Sequence, residues 1–590
     1  RIEGYKSTPA GRVYFCAEFS KPFLYYGTFD ADRKTPESDS GIFPYKSGEK
    51  GERIGAFVNY KTSEKEQILV KVALSYTGPE GARKNLEAEL ADRDFDRVKK
   101  DAGDIWNREL SRIEIDGATD EQKEIFYTSL YHSLLAQYTG EDADGKYYGM
   151  DGRVHTAEGY DFYPSFSCWD TYRSQHPLLT IIAPEHVNSF LKSIEAKIRD
   201  FGWLPAQHFS NVYRESMVGD HLIPIVTDAY VKGYRDFDAE FVYEAMKKKA
   251  LEKPEPPVPE NAGRSGLGYY ISLGYTPIDK VTEAVPNTME LAYDDWCTGV
   301  MAEALGRQKD MELFMKRALN YRNVWDSTSG FMRPRKADGS FLEELNGREQ
   351  TIVTKNGHSY YKYFDPLLVG VRPNRHYTES NAWQYIWSVQ HDIKGLIDLF
   401  GSKEKFNDKL DTFFDMDPSV TGPKYIGVVG TIGQYVHGNQ PSHHVAYLYD
   451  YSGEPWKTQQ RTRQICDQLY RPGPGGLCGN EDMGSLSSWY VFSSLGFYPV
   501  TPGSTSYAIG SPVFGKAVIH HPDGKKFTVR AINNSDKNIY IQSATLNGIP
   551  LEKPFIEHRD IMNGGELLFI MGPEPSRNWG ISAPPPSLSD

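Results

Sequence analysis

What most constrains this chain is a change of hydrophobic period that occurs twice along it. Up to about residue 78 the apolar residues alternate or run together in short stretches rich in β-branched and aromatic side chains: Val13–Phe19, Arg53–Tyr60 and Gln67–Tyr76. From Gly81 the pattern turns helical. A charged segment to Leu110 reads as an exposed or bridging helix. Ten further helical stretches follow: Glu121–Tyr138, Pro184–Phe201, His221–Tyr234, Ala239–Leu251, Glu290–Leu305, Lys309–Val324, Ser380–Phe400, His444–Tyr451, Lys457–Leu469 and Ser485–Leu495. After Pro502 the strand pattern returns in Lys516–His521, Phe527–Ile532, Ile539–Ala544 and Leu567–Met571, punctuated by Asp523-Gly and Asn547-Gly turns. This order predicts a multidomain α+β protein whose helices pair into a toroid, with loops collected at one end around a pocket. The expected boundaries are 1–80 for the first β part, 81–115 for linker helices, 116–501 for the helical domain and 502–590 for a C-terminal β domain. Three or four strands do not make a free-standing sandwich. The first β part therefore reads as incomplete, to be finished by a missing N-terminal segment, a second chain or the C-terminal strands in one layer.

Charge and cysteine content exclude several function classes. With 66 Lys and Arg against 79 Asp and Glu, net charge −13, and no basic run, the chain is not expected to bind nucleic acid. No apolar run of the length that crosses a bilayer is present, and Arg1-Ile-Glu-Gly-Tyr5 does not read as a signal peptide. The five widely spaced cysteines give neither a zinc pattern nor a disulfide framework. Aromatic residues make up 13% of the chain, which suits the apolar faces of sugar rings, although most of these rings must be core.

Four segments concentrate chemistry. Ser165-Phe-Ser-Cys-Trp169-Asp170-Thr-Tyr-Arg173 places a Trp, an Asp and an Arg ahead of an apolar helix, where helix capping competes with ligand binding as the explanation. His376-Tyr-Thr378-Glu379-Ser-Asn381-Ala-Trp383-Gln384 is dense in amides and aromatics, which suits hydrogen bonding to a polyol. His437-Gly-Asn439-Gln440-Pro-Ser-His443-His444 lacks the spacing of a zinc site; its amide oxygens fit a hard cation such as Ca²⁺ better. Gly479-Asn480-Glu481-Asp482 opens onto Met-Gly-Ser-Leu-Ser-Ser-Trp-Tyr-Val-Phe, two adjacent carboxylates at a helix mouth, where N-capping is the ordinary role. With no phosphate-binding glycine loop and no Ser-His-Asp arrangement, carboxylates on separate loops point to glycoside hydrolysis. Glu379 and Asp482 are the natural acid–base pair.

Six segments in order, Ser167–Arg173, Met217–His221, Leu291–Cys297, Tyr377–Gln384, His437–His444 and Gly479–Ser493, resemble glycoside hydrolase family 92, the calcium-dependent exo-acting α-mannosidases. The resemblance implies an N-terminal β-sandwich, an (α/α)6 catalytic barrel and a C-terminal β element. It also implies inversion at the anomeric carbon and a mannose-bearing oligosaccharide or glycoprotein glycan as substrate, met in a secreted, periplasmic or cell-surface setting. Carried over residue by residue, Glu379 resembles the general acid and Asp482 the general base. Trp169, Asp170 and Arg173 resemble the pocket for the terminal mannose, and His437, Gln440, His443, Asn480 and Glu481 complete the expected sugar-binding set. Asn439, Gln440 and Asp482 are the expected Ca²⁺ ligands.

Three departures stand out. Ser380 follows the acid where Gly is usual, Gln440 stands where Glu is common, and the family's sandwich begins well before residue 1. The loss of a charge at Gln440 opens a mannosyl-phosphate substrate as an alternative. Another (α/α)6 carbohydrate enzyme and a non-catalytic glycan-binding protein are the other readings.

Overall fold

The structure is a computed structural model. It describes every residue except 9–10, 33–41, 207, 210–211, 214–216, 371, 373 and 424–426, together with the side chains of 208–209 and 212–213. Two compact units emerge, one of Arg1–Trp106 with Gly140–Gly159, the other of Asn107–Thr139 with Tyr160–Asp590.

The first unit holds two three-stranded antiparallel sheets. Gly11–Phe19 is the central strand of one, between Ile2–Thr8 and Val70–Ser75; Tyr25–Asp30 is central in the other, between Ile42–Pro44 and Ile54–Asn59. The helix Pro79–Leu90 covers the first sheet through Ala82 and Leu86, which pack on Cys16. Asp142 ties the helix to the strands, accepting from Asn85 Nδ2 at 2.8 Å and Ser75 Oγ at 3.0 Å. On Val70–Ser75 the even-numbered residues Val70, Val72 and Leu74 are exposed, as the period of two requires when only one face is covered. The helix Phe95–Leu110 buries no residue.

The second unit carries most of the helices around one extensive apolar core. Ala284–Ala304 is its longest helix and is buried almost throughout. Ser485–Leu495 is buried at all eleven positions and packs on Asp120–Leu135 and Gln175–Ile182. A six-stranded sheet closes the chain, ordered Ile549–Pro550, Tyr540–Leu546, Gly565–Gly572, Lys526–Ile532, Lys516–His520 and Ile113–Asp116. The fold is thus multidomain and mixed in helix and sheet.

Three differences from the sequence expectation have physical causes. Ile113–Asp116, placed at the end of the linker helices, is an edge strand paired antiparallel with Lys516–His520, its apolar Ile113 and Ile115 alternating with acids. The terminal β segments do not share a sheet among the described residues. The stretch Ser380–Phe400 is also not one helix. Asn381 caps a single turn, Ala382–Tyr385, and Asp392 caps a second helix, Ile393–Phe400, by accepting from Gly395 N at 3.1 Å. The 343–367 stretch folds over a hairpin, Ile352–Lys355 with His358–Tyr361, whose Asn356-Gly357 turn has both residues at positive φ.

Candidate active site

Glu379 sits between two anchored neighbours. Before it, Thr378 Oγ1 donates to Glu283 Oε1 at 2.7 Å. After it, Asn381 and Gln384 form a reciprocal capping box, and both amides reach Gln434. These two amides, expected to face a polyol, are spent on each other and on Gln434. Glu379 is half-exposed and left-handed, at φ 54°.

The adjacent acids of the opening helix segment take different roles. Glu481 Oε1 accepts from Ser487 N at 3.0 Å, and Oε2 accepts from Ser487 Oγ at 2.7 Å and lies 3.2 Å from His132 Nδ1. Its carboxylate serves the orphan donors of the Ser485–Leu495 helix, and its hydrogen bond holds His132 above the ordinary imidazole range. Asp482 and Met483 are both left-handed, at φ 50° and 53°, followed by Gly484 at 84°. This turn points Asp482 away from the helix to accept a hydrogen bond from Gln440 Nε2. Asn480 is exposed.

Asp170 is the third acid. It is buried, accepts from Ser167 Oγ, and its carbonyl accepts from Ser485 Oγ at 2.9 Å, which ties its segment to the Asp482 helix. Burial first, and then the charge of Asp482, push its carboxyl up to about 8; Ser167 and Arg173 oppose this and Glu379 adds to it. Asp482 is also raised, by burial and by Glu379 and Glu481, against the Gln440 hydrogen bond. Three loops far apart in sequence thus bring Asp170, Glu379 and Asp482 within one another's fields. Arg173 lies over the rings of Trp169 and Tyr172, donates to Trp169 O at 3.0 Å and faces Glu290 at 3.6 Å. The indole N–H of Trp169 is buried without a partner, a donor available to a ligand hydroxyl.

The histidines depart from expectation. His437 is fully buried with Nδ1 bonded to Tyr435 OH at 2.7 Å and Nε2 to Tyr470 OH at 2.6 Å, so it has no ring nitrogen to offer a sugar. His443 bonds His437 O at 3.0 Å, and burial pushes it down to about 3. His444 bonds Trp387 O at 2.7 Å. All three read as neutral core histidines.

The oxygens present suit a hard cation in part. Asn439 donates from Nδ2 to Glu379 O at 3.2 Å, and its Oδ1 is buried with no partner. Gln440, expected as a ligand, donates from Nε2 to Asp482, so that Oε1 is the atom it would offer a cation. Among the described residues no cluster of three or more His, Cys, Asp or Glu side chains is placed to hold a metal.

Several residues around the site have no assigned role in the sequence reading. His221, Glu290 and Asp294 form a buried charged group: His221 Nε2 is 3.3 Å from Glu290 and Nδ1 is 3.2 Å from Asp294. Acidic residues inside the otherwise apolar Leu291–Cys297 run were the available signal. Glu283, just ahead of its helix, gave none.

Comparison with known proteins bears on this geometry. A model of the glycosyl hydrolase family 92 catalytic domain matches residues 81–573, and one of the family's N-terminal domain matches residues 1–75. An uncharacterized secreted glycosidase of Arthroderma benhamiae is 30% identical over 572 residues, covering 91% of this chain; the chain spans 65% of that relative's length. A family GH92 α-mannosidase of Bacteroides thetaiotaomicron, solved with mannoimidazole, superposes with TM-score 0.86 at 33% identity, over 98% of this chain and 73% of its own. A family GH92 inverting mannosidase of the same species gives TM-score 0.86 at 35% identity, over 99% and 76%.

Proposed function

The chain belongs to glycosyl hydrolase family 92, and from that premise we propose that it is an exo-acting, inverting α-mannosidase removing terminal α-linked mannose from N-glycan or mannan-type glycans. The observation that carries this reading is the pair Glu379 and Asp482. Each is a non-glycine acid in left-handed backbone, on separate loops, each within the other's field. Such conformations cost about 1–3 kcal/mol each and persist where the surroundings over-determine them, as at active sites. The helices around them are read as an (α/α)6 barrel presenting these loops at one end.

In this reading Glu379 protonates the glycosidic oxygen as the bond breaks, and Asp482 takes a proton from a water attacking the opposite face of the sugar. The upward shift of Asp482 makes it a better proton acceptor, and Gln440 fixes the direction of one of its oxygens. Asp170, Arg173 and Trp169 form the wall for the terminal sugar. Asn439 Oδ1, Gln440 Oε1 and Asp482 would hold Ca²⁺, which when bound supplies positive charge for sugar hydroxyls. Action outside the cytoplasm accords with the name of the fungal relative.

A mannosyl-phosphate diester is the second reading, favoured by the neutral Gln440 beside Asp482, where a glutamate would place another negative charge against the incoming phosphate.

An NMR time course on linkage-defined α-mannobiosides and an α-mannosyl phosphodiester tests both. Mannose released first as the β-anomer is expected; α-mannose, glucose, or no turnover despite binding would sink the proposal. Chelation is expected to stop turnover and added Ca²⁺ to restore it, and activity indifferent to both would remove the metal.

A further inference from the structure

One buried carboxylate gathers the whole approach to Glu379. Glu283, 3% exposed and left-handed at φ 54°, lies immediately before the Ala284–Ala304 helix. Its Oε1 accepts from Arg375 Nε at 2.9 Å, Arg375 Nη2 at 2.5 Å and Thr378 Oγ1 at 2.7 Å, while Oε2 accepts from Arg372 Nε at 3.1 Å. Its main-chain N–H donates to Arg375 O at 3.2 Å. Arg372, Arg375 and Thr378 are thus held from one point at the head of a long buried helix. On the other side of Glu379, the Asn381–Gln384 box is pinned to Gln434, which itself donates to Asp417 O and Ser419 O, both at 2.9 Å.

Between these anchors lie Glu379 and Ser380, and Glu379 takes a backbone conformation that a glutamate does not adopt for local reasons. The strain is sustained because both flanks are fixed. The Glu283 side reaches the residue directly before the acid by a side-chain bond from another element, while Asn439 Nδ2 holds the carbonyl of Glu379 itself at 3.2 Å. Ionic pairing with Arg375 alone would hold the segment at three residues' distance. The Thr378 hydroxyl brings the hold to the peptide next to Glu379.

We propose that Glu283 is a positioning residue for acid catalysis: acting through Thr378, it sets the direction from which Glu379 delivers its proton. This rests on the reading of Glu379 as the general acid. Substrate and reacting atoms are touched by Glu379, not by Glu283. The expected signature is therefore that of a misaimed acid, a loss that scales with how much the leaving group needs protonation.

Thr378→Val tests this without uncovering a buried charge, because the two arginines keep Glu283. Turnover is measured on α-mannosides with leaving groups from a sugar hydroxyl to dinitrophenol, beside Thr378→Ser, Glu283→Gln and Glu379→Gln. Thr378→Val is expected to lower kcat at least about tenfold on the sugar leaving group with KM little changed, and to stay within about threefold of the parent on dinitrophenyl mannoside. Thr378→Ser is expected to restore the loss. Glu283→Gln, where it folds, is expected to show the same slope more steeply. Equal loss on every leaving group, no loss, or failure of Ser to restore would overturn the positioning role. If Glu379→Gln itself lacks leaving-group dependence, the acid assignment falls and takes the proposal with it. If Glu379→Gln shows the dependence and Thr378→Val does not, the acid stands and the clamp falls.

Discussion

His221 carries a stability consequence that can be worked out from its neighbours. It lies 3.3 Å from Glu290 and 3.2 Å from Asp294, with the Tyr172 ring stacked at 4.5 Å. Burial disfavours its charge, but the nearby carboxylates of Asp294 and Glu290 outweigh this and hold it up to about 9. A histidine raised above its unfolded value of about 6.5 binds a proton in the folded state that the unfolded chain releases between those two values. Its stabilisation is full below about pH 6.5 and is lost as pH rises through about 9, at up to about 1.4 kcal/mol per pH unit for one group. Asp170, raised to about 8, adds a loss in the same direction beginning at lower pH. Urea unfolding of the parent beside His221→Gln from pH 6.5 to 9 isolates this contribution from that of the buried neutral histidines, which runs the other way near pH 6.5. His221→Gln should be less stable at pH 6.5, because two buried acids lose their cation, and flatter with pH; an unchanged slope would refute the assignment. Residue roles were legible in part. Glu481 and Asp482 are indistinguishable by type, and only the left-handed turn at Asp482, Met483 and Gly484 separates the helix-serving acid from the site-facing one. His437 looked available because sequence does not show that two tyrosine hydroxyls flank it.

The entry to the Ser485–Leu495 helix depends on the absence of a Cβ at Gly484. Gly484 is at φ 84°, and a Cβ there would lie 2.9 Å from His132 O and 3.0 Å from Ser133 Cα, both on the backbone of the packed Asp120–Leu135 helix. Neither can yield without moving that helix. Gly484→Ala is expected to cost about 1–3 kcal/mol in thermal or urea unfolding and to lower kcat through displacement of Asp482. Gly475→Ala, which meets nothing within 4 Å, should stay within about 0.5 kcal/mol. Equal effects at the two sites would mean that the turn is not constrained. This helix was readable from its sequence because its eleven residues are buried without interruption and flanked by glycines. The Ser380–Phe400 stretch was not, because caps at Asn381 and Asp392 divide an apolar pattern that continues through them. Ile113–Asp116 was hidden for another reason. Four residues carry little period, and the strand they pair with, Lys516–His520, lies some four hundred positions later in the chain.

Across the whole molecule the β–helix–β order could be read from period alone, whereas the grouping of Gly140–Gly159 with the first unit could not, since it rests on contacts such as Asp142 with Asn85. The two units also differ in what holds them. Both contain a strand paired on each side, Gly11–Phe19 in the first and Lys526–Ile532 in the second, so backbone hydrogen bonding is comparable. Burial is not. Lys526–Ile532 buries Phe527, Val529 and Ala531 in the extensive core, while Gly11–Phe19 buries Cys16 and Ala17 beside a cluster completed by Ala82 and Leu86. At about 25 cal/mol per Å² of apolar surface removed from water, the smaller core leaves the first unit's opening free energy well below the second's. Hydrogen exchange on the intact chain checks this. Gly11–Phe19 amides are expected to exchange at least about 100-fold faster than those of Lys526–Ile532, a difference of about 2.7 kcal/mol in opening. Matching rates would show that the first unit is stabilised by something other than its own apolar core.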